Sequence, residues 1–155
     1  MNWIFPAFLV ASIAHMAEEY FYPGGFMNLM KRLNPGYAPF VTVPMAIIIN
    51  GLQLVVCIIA ILVGQNGLIF SMSIAGLLLV NGLTHIGACV RVRGYAPGVI
   101  SGILIYLPLS VYAYSLFLRT GQLTPNQVII TSLLGLLYQA VPIGYLSLAR
   151  ARSQA

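Results

Sequence analysis

The chain of 155 residues contains no aspartate and only two glutamates, Glu18 and Glu19, which stand side by side. Charged residues of both signs make up 6% of it, whereas a soluble domain carries about a quarter. That shortage excludes a globule in water, because so few polar groups cannot cover a core of this size. The cations, seven against two acids, do not read as a nucleic-acid surface. They stand singly or in pairs at the ends of apolar runs, the pattern of membrane-edge residues. The first apolar run lacks a basic start and carries both glutamates, so it reads as a retained segment and not a cleavable signal. Cysteine is scarce too. Cys57 and Cys89 fall near opposite ends of neighbouring runs, roughly 20 Å apart at the helical rise. A disulfide needs Cα atoms within about 7 Å, so both read as buried apolar residues. Repeats and low-complexity tracts are absent.

What is present is hydrophobic: 60% of the residues, with a mean hydropathy of +0.95. The expected solvent is therefore lipid and the expected fold all-α. Residues 1–155 form one membrane-embedded domain, a polytopic bundle of five transmembrane helices with a short interfacial helix after the first. The spans are placed at about residues 3–22, 40–63, 68–90, 98–118 and 125–148. Pro23-Gly24-Gly25 ends the first, and Phe26–Leu33 reads as an amphipathic segment on the membrane surface. Pro44 stands near the start of the second span and Gly64–Gly67 turns the chain into the third. Gly98 and Gly102 form a small-residue pair that permits close helix approach. Pro108 is expected to kink the fourth span, and Thr124-Pro125 to start the fifth. With five spans, Lys31, Arg32, Arg91, Arg93, Arg150 and Arg152 share one side and Arg119 faces the other. The positive-inside bias then predicts a protein integral to the cytoplasmic membrane, amino terminus outside and carboxyl terminus cytoplasmic.

The polar residues inside these spans carry the functional reading. At 100° per residue, Glu18 lies about 60° to one side of His15 and Glu19 about 40° to the other, so one helix face carries all three. Asn81 and His85, four apart in the third span, also share a face. Counted from the outer ends, His15, Glu18, Glu19, Asn81, His85 and Gln139 fall in one layer of the inner half. A pocket between spans one and three, open to the cytoplasm, follows. Asn50, Gln53 and Gln139 read first as interhelical hydrogen-bond glue. Asn50, Gln139 and Tyr95, the last as a cap over the pocket, are the candidates for contacting substrate. Arg91 and Arg93 read as topology determinants, and Tyr106, Tyr112 and Tyr114 as packing or interfacial residues.

Three motifs stand here in order: His-x-x-Glu-Glu at His15–Glu19, Asn-x-x-x-His at Asn81–His85 and Tyr-x-Pro-Gly at Tyr95–Gly98. In them the chain resembles the HXXEE family of small bacterial multi-pass membrane proteins. The resemblance runs from the first span to the start of the fourth. It implies an enzyme whose working residues are those of the motifs, and nothing about its substrate.

Two chemistries suit His15, Glu18, Glu19, Asn81 and His85 as catalytic residues. In one, His15, Glu19 and His85 bind zinc or iron with Glu18 as a further ligand or base, and Asn81 orients the substrate. In the other no cofactor is needed. Adjacent carboxylates repel in low dielectric and divide into an acid and a base, with His85 and Asn81 as donors to an oxyanion. Glutamate-dependent intramembrane proteases offer a chemical analogy for that second arrangement. Either would act as a hydrolase, isomerase or cyclase on a lipophilic or amphiphilic small molecule, with membrane lipid as the surrounding partner. The competing readings are a proton- or cation-coupled transporter and a structural polar network fixing helix register. The sequence leaves the oligomeric state open.

Overall fold

A computed structural model describes residues 2–22 and 25–154. They form helices α1 (Ile4–Phe21), α2 (Gly25–Leu33), α3 (Val43–Val63), α4 (Leu68–Val92), α5 (Val99–Arg119) and α6 (Pro125–Ser153). No strand occurs among the described residues, so the fold is all-α. Two short 3-10 turns, Pro35–Phe40 and Gly64–Gly67, join α2 to α3 and α3 to α4. Pro23 and Gly24, expected to end the first helix, lie outside the described residues.

Helix ends follow local chemistry. Thr42 caps α3, its hydroxyl accepting from Met45 N–H, with Pro44 in the first turn. Thr124 and Gln127 form a reciprocal capping box at the start of α6, which satisfies two orphan amides, and Pro125 needs none. Between α3 and α4 the chain doubles back. The Ser71 hydroxyl lies within bonding distance of the Ala60 and Gly64 carbonyls, 3.1 and 2.9 Å away, a reach a continuous helix does not allow.

Helix α4 is the axis of the bundle. Ser71 to Leu78 is buried on every side, and α1, α3, α5 and α6 all pack against it. Glycines set the closest approaches. A Cβ on Gly135 would come within 2.2 Å of the Gly76 carbonyl carbon, and one on Gly76 within 2.3 Å of the Thr131 oxygen. The α4–α6 crossing thus depends on bare backbone at both positions. Gly102 of α5 lies against Gly82 of α4 in the same way, whereas its expected partner Gly98 serves another purpose described below.

The buried stripe of α1 runs Ile4, Phe5, Phe8, Ala11, Ser12, His15 and Glu19. Its spacing of three and four is the ordinary apolar face of a helix, and its last three members, from Ser12 on, are the polar ones. Helix α5 is not uniform. Over Gly102–Tyr106 it widens to a π turn, in which Leu107 N–H bonds the Gly102 carbonyl five residues back, directly before Pro108. Proline lacks the amide that would close the next α-helical ring, which accounts for the break where a kink is expected.

Arg91 bonds the Leu33 carbonyl at 3.1 Å, and the Arg150 guanidinium sits over the Tyr37 ring. The ends of α2, α4 and α6, with most of the cations, therefore lie together. At the other end Phe117 stacks on Phe5, two residues from Arg119. Among the described residues, three stretches are long and apolar enough to cross a membrane: Val43–Val92, Val99–Arg119 and Pro125–Ser153. The first contains the α3–α4 reversal. Helix α1 is not among them, and its last turns carry His15, Glu18 and Glu19.

Candidate functional site

Three side chains from two helices meet in the interior. His15 Nε2 and His85 Nε2 are 3.2 Å apart, and Glu19 Oε1 lies 3.5 Å from the first and 3.1 Å from the second. All three residues are at least 95% buried. The i, i+4 spacing of α1 presents His15 and Glu19 together, and α4 brings His85 from across the bundle. Room for both imidazoles comes from Gly98, at the turn into α5. A Cβ there would stand 2.6 Å from His85 Cε1 and 2.8 Å from His15 Cε1, and its φ of +94° is one that side-chain-bearing residues rarely adopt.

Glu18 points elsewhere. Its carboxylate accepts from Ser101 N–H and Oγ–H, Ile100 N–H and Tyr95 O–H, at 2.5 to 3.1 Å. It thereby caps the start of α5 from another helix, where unpaired amides and the helix dipole favour an anion. Burial and this carboxylate raise the Tyr95 phenol above its ordinary pKa, so it remains a donor. The expectation that Glu18 joins a shared site as ligand or base is corrected by this geometry. So is that of Tyr95 as a substrate contact: it bonds Glu18 and stacks against Tyr22, and it does not line the cavity.

The two glutamates are nevertheless linked. Ser101 Oγ also lies 2.8 Å from His15 Nδ1. A serine hydroxyl has one proton, and the Glu18 carboxylate takes it, so His15 Nδ1–H must donate to Ser101. His15 Nε2 faces Glu19 and His85, and in the neutral imidazole it is the nitrogen that carries the lone pair. The Tyr106 ring, stacked on His15 at 4.3 Å, holds the imidazole from the side. In an α-helix Ser101 and Tyr106 would lie about 140° apart. The π turn closes five residues and brings both onto His15.

His15 Nε2, a Glu19 carboxylate oxygen and His85 Nε2 thus lie within one another's reach. An ionised carboxylate buried without a partner costs several kcal/mol, so the cluster calls for a cation or a shared proton. For ligand atoms about 2.0–2.1 Å from a tetrahedral ion the mutual separation is about 3.3 Å. The observed 3.1, 3.2 and 3.5 Å fit that edge. His85 Nδ1, against Gly98, has no hydrogen-bond partner.

The cluster forms the polar end of a cavity of about 440 Å³, within the range of ligand pockets. Five amides, Asn34, Asn50, Gln53, Asn81 and Gln139, also line it, and the remaining walls are mainly apolar. Asn81 Nδ2 is 3.4 Å from Gln139 Oε1, while Asn81 Oδ1 is buried and unpaired. Asn50 Nδ2–H donates to the Tyr20 hydroxyl oxygen, and Gln53 Nε2–H to those of Ser12 and Tyr106, so these two join helices as well as line the wall. Helix α2 turns Phe26, Leu29 and Met30 into the cavity, so its apolar face roofs the site rather than meeting lipid alone.

Sequence reasoning missed Ser101, Tyr106 and the role of Gly98 toward the imidazoles. The motif Tyr-x-Pro-Gly marked the glycine but not what it faces.

Fold and site together define an all-helical protein with a buried His–Glu–His cluster at the head of an apolar cavity. The family described as "Protein of unknown function with HXXEE motif" matches residues 3–113, and the chain belongs to it. No curated protein and no solved structure matches the chain.

Proposed function

We propose that this is a metal-dependent enzyme embedded in the cytoplasmic membrane, acting by Lewis-acid or hydrolytic chemistry on a lipophilic small molecule. The supporting observation is the convergence of His15 Nε2, His85 Nε2 and Glu19 Oε1 at tetrahedral-edge separations, with His15 fixed in the ligating tautomer through Ser101. Zinc or ferrous iron suits two imidazoles and a carboxylate. Such an ion polarises a substrate oxygen and activates water.

The residues divide the remaining work. Ser101 and Glu18 hold the His15 tautomer, as partners behind metal-bound histidines do. Asn81, one turn before His85 on the cavity wall, orients the substrate, and Gln139 steadies Asn81. Helix α2 and the apolar walls keep bulk water out. The separation of the two carboxylates weighs against a paired-glutamate mechanism, because Glu18 is saturated by four donors. In this reading α1, α3, α4, α5 and α6 are five spans. The cation-rich end faces the cytoplasm and the amino terminus lies outside.

The test is the metal content of protein purified without chelator, wild type against Glu19→Gln and His85→Ala. Wild type should carry about one equivalent of a divalent transition metal per chain, and both variants far less while remaining folded. If wild type also carries little and added Zn²⁺ or Fe²⁺ changes neither stability nor activity, the metal reading fails.

A further inference from the structure

The walls of the cavity are supplied largely by α3 and α6, yet these two helices do not pack along each other. Helix α6 is held by α4, and α3 by α1 and α4. They meet only near the cation-rich end. There Met45 and Leu146 are buried in one small cluster with Met30 and Tyr37, and Tyr37 O–H lies 3.4 Å from Ser147 Oγ. That cluster and the roof formed by α2 close the site toward the aqueous end. At mid-helix the same two helices stand apart, and the cavity residues on the rim are exposed and apolar: Leu52 on α3, Val141 and Ile143 on α6. An apolar rim at the middle of two membrane-length helices opens toward hydrocarbon.

The lining also limits what enters. It contains no Lys or Arg, and its one carboxylate, Glu19, belongs to the cluster. Apart from an ion held by the cluster itself, an anionic head would find no fixed counter-charge in the lining. The amides instead offer neutral hydrogen bonding, and the unpaired Asn81 Oδ1, buried beside the cluster, asks for a donor.

From this we infer that the cavity takes a single-chain amphiphile with an uncharged, hydroxyl-bearing head, entering sideways from the bilayer between α3 and α6. The head reaches Asn81 and the His–Glu–His cluster, and the chain trails out past Leu52 and Val141. The inference rests on the reading of this cavity as the substrate site, but binding of the amphiphile needs no metal.

The experiment is retention of 1-oleoylglycerol by the purified full chain, measured by native mass spectrometry against oleyl phosphate and oleylamine. Metal is assayed on the same preparation. Wild type should retain one oleoylglycerol and at least tenfold less of either charged probe. A Leu52→Trp/Val141→Trp double variant, which narrows the gap, should lose at least tenfold. Leu133→Trp, equally exposed on α6 but away from the cavity, should bind as wild type does. Asn81→Leu should weaken oleoylglycerol without changing the unfolding midpoint by much. Equal retention by the double variant and the Leu133→Trp control overturns the entry route. Preference for a charged probe, or no retention by folded wild type, overturns the substrate class. Metal-free protein that still retains oleoylglycerol, and that added Zn²⁺ or Fe²⁺ does not alter, refutes the metal reading alone.

Discussion

Gly98→Ala probes the site without touching any ligand. The added Cβ would fall 2.6 and 2.7 Å from two atoms of the His85 ring and 2.8 Å from His15, distances that force both imidazoles to move. Two costs combine. A left-handed backbone costs a non-glycine residue about 1–2 kcal/mol, and inserting a methyl into a packed interior costs about 1–3 kcal/mol. The expected loss is therefore about 2–5 kcal/mol, read as the midpoint of unfolding in a denaturant titration in detergent. Gly121 separates the two, since its φ is +69° and a Cβ there meets nothing within 4 Å. Gly121→Ala should show the backbone cost alone. Gly87, helical and open, should gain about 0.5–1 kcal/mol on change to Ala. Metal content gives a second readout: Gly98→Ala should lose the ion and Gly121→Ala keep it. If Gly98→Ala is no worse than Gly121→Ala and binds metal normally, the rings are not where the structure puts them.

Three further changes test neighbouring parts of the argument. Glu18→Gln removes the charge at the start of α5 and should cost about 1–2 kcal/mol on unfolding; because Glu18 acts on His15 only through Ser101, it should weaken the metal without abolishing it, unlike Glu19→Gln. Ser101→Ala leaves His15 Nδ1–H without an acceptor and should weaken zinc binding by about 10–100-fold in a chelator competition; unchanged affinity would remove Ser101 from the site. A reporter fused to the carboxyl terminus should be active only in the cytoplasm, and activity confined to the outside would reverse the proposed topology.

The helical class was legible because hydropathy and capping signals are local. Pro44, Thr124 and Gln127 announce their helix starts wherever the chain goes. Much of the site was legible for a related reason: His15 with Glu19, and Asn81 with His85, are four apart, and the helical period alone puts each pair on one face. The roles of the two glutamates were not separated, since 60° and 40° from His15 are too close for a wheel to decide. The signal that divides them is the buried stripe through Ile4, Phe8 and Ser12, which continues to Glu19 and leaves Glu18 at its edge. Ser101 and Tyr106 were out of reach. Their positions depend on a glycine turn and a π turn whose phase no regular period describes. The span count needs the lipid boundary, which neither periodicity nor packing marks at α1.

The widened turn in α5 also sets a rule for chain length. A π turn is equivalent to one residue added to an α-helix, so deleting a single residue between Gly102 and Tyr106 would restore regular winding. The tyrosine would then follow Ser101 by four residues, about 40° away, and both would still face His15. Ala113, Tyr114 and Phe117 would keep their places in the core. The same deletion beyond Pro108 finds no widened turn to absorb it, and would swing those three side chains by about 100° relative to Ser101. Over Gly102–Tyr106 the helix can therefore lose a residue without losing its register, which its regular part cannot.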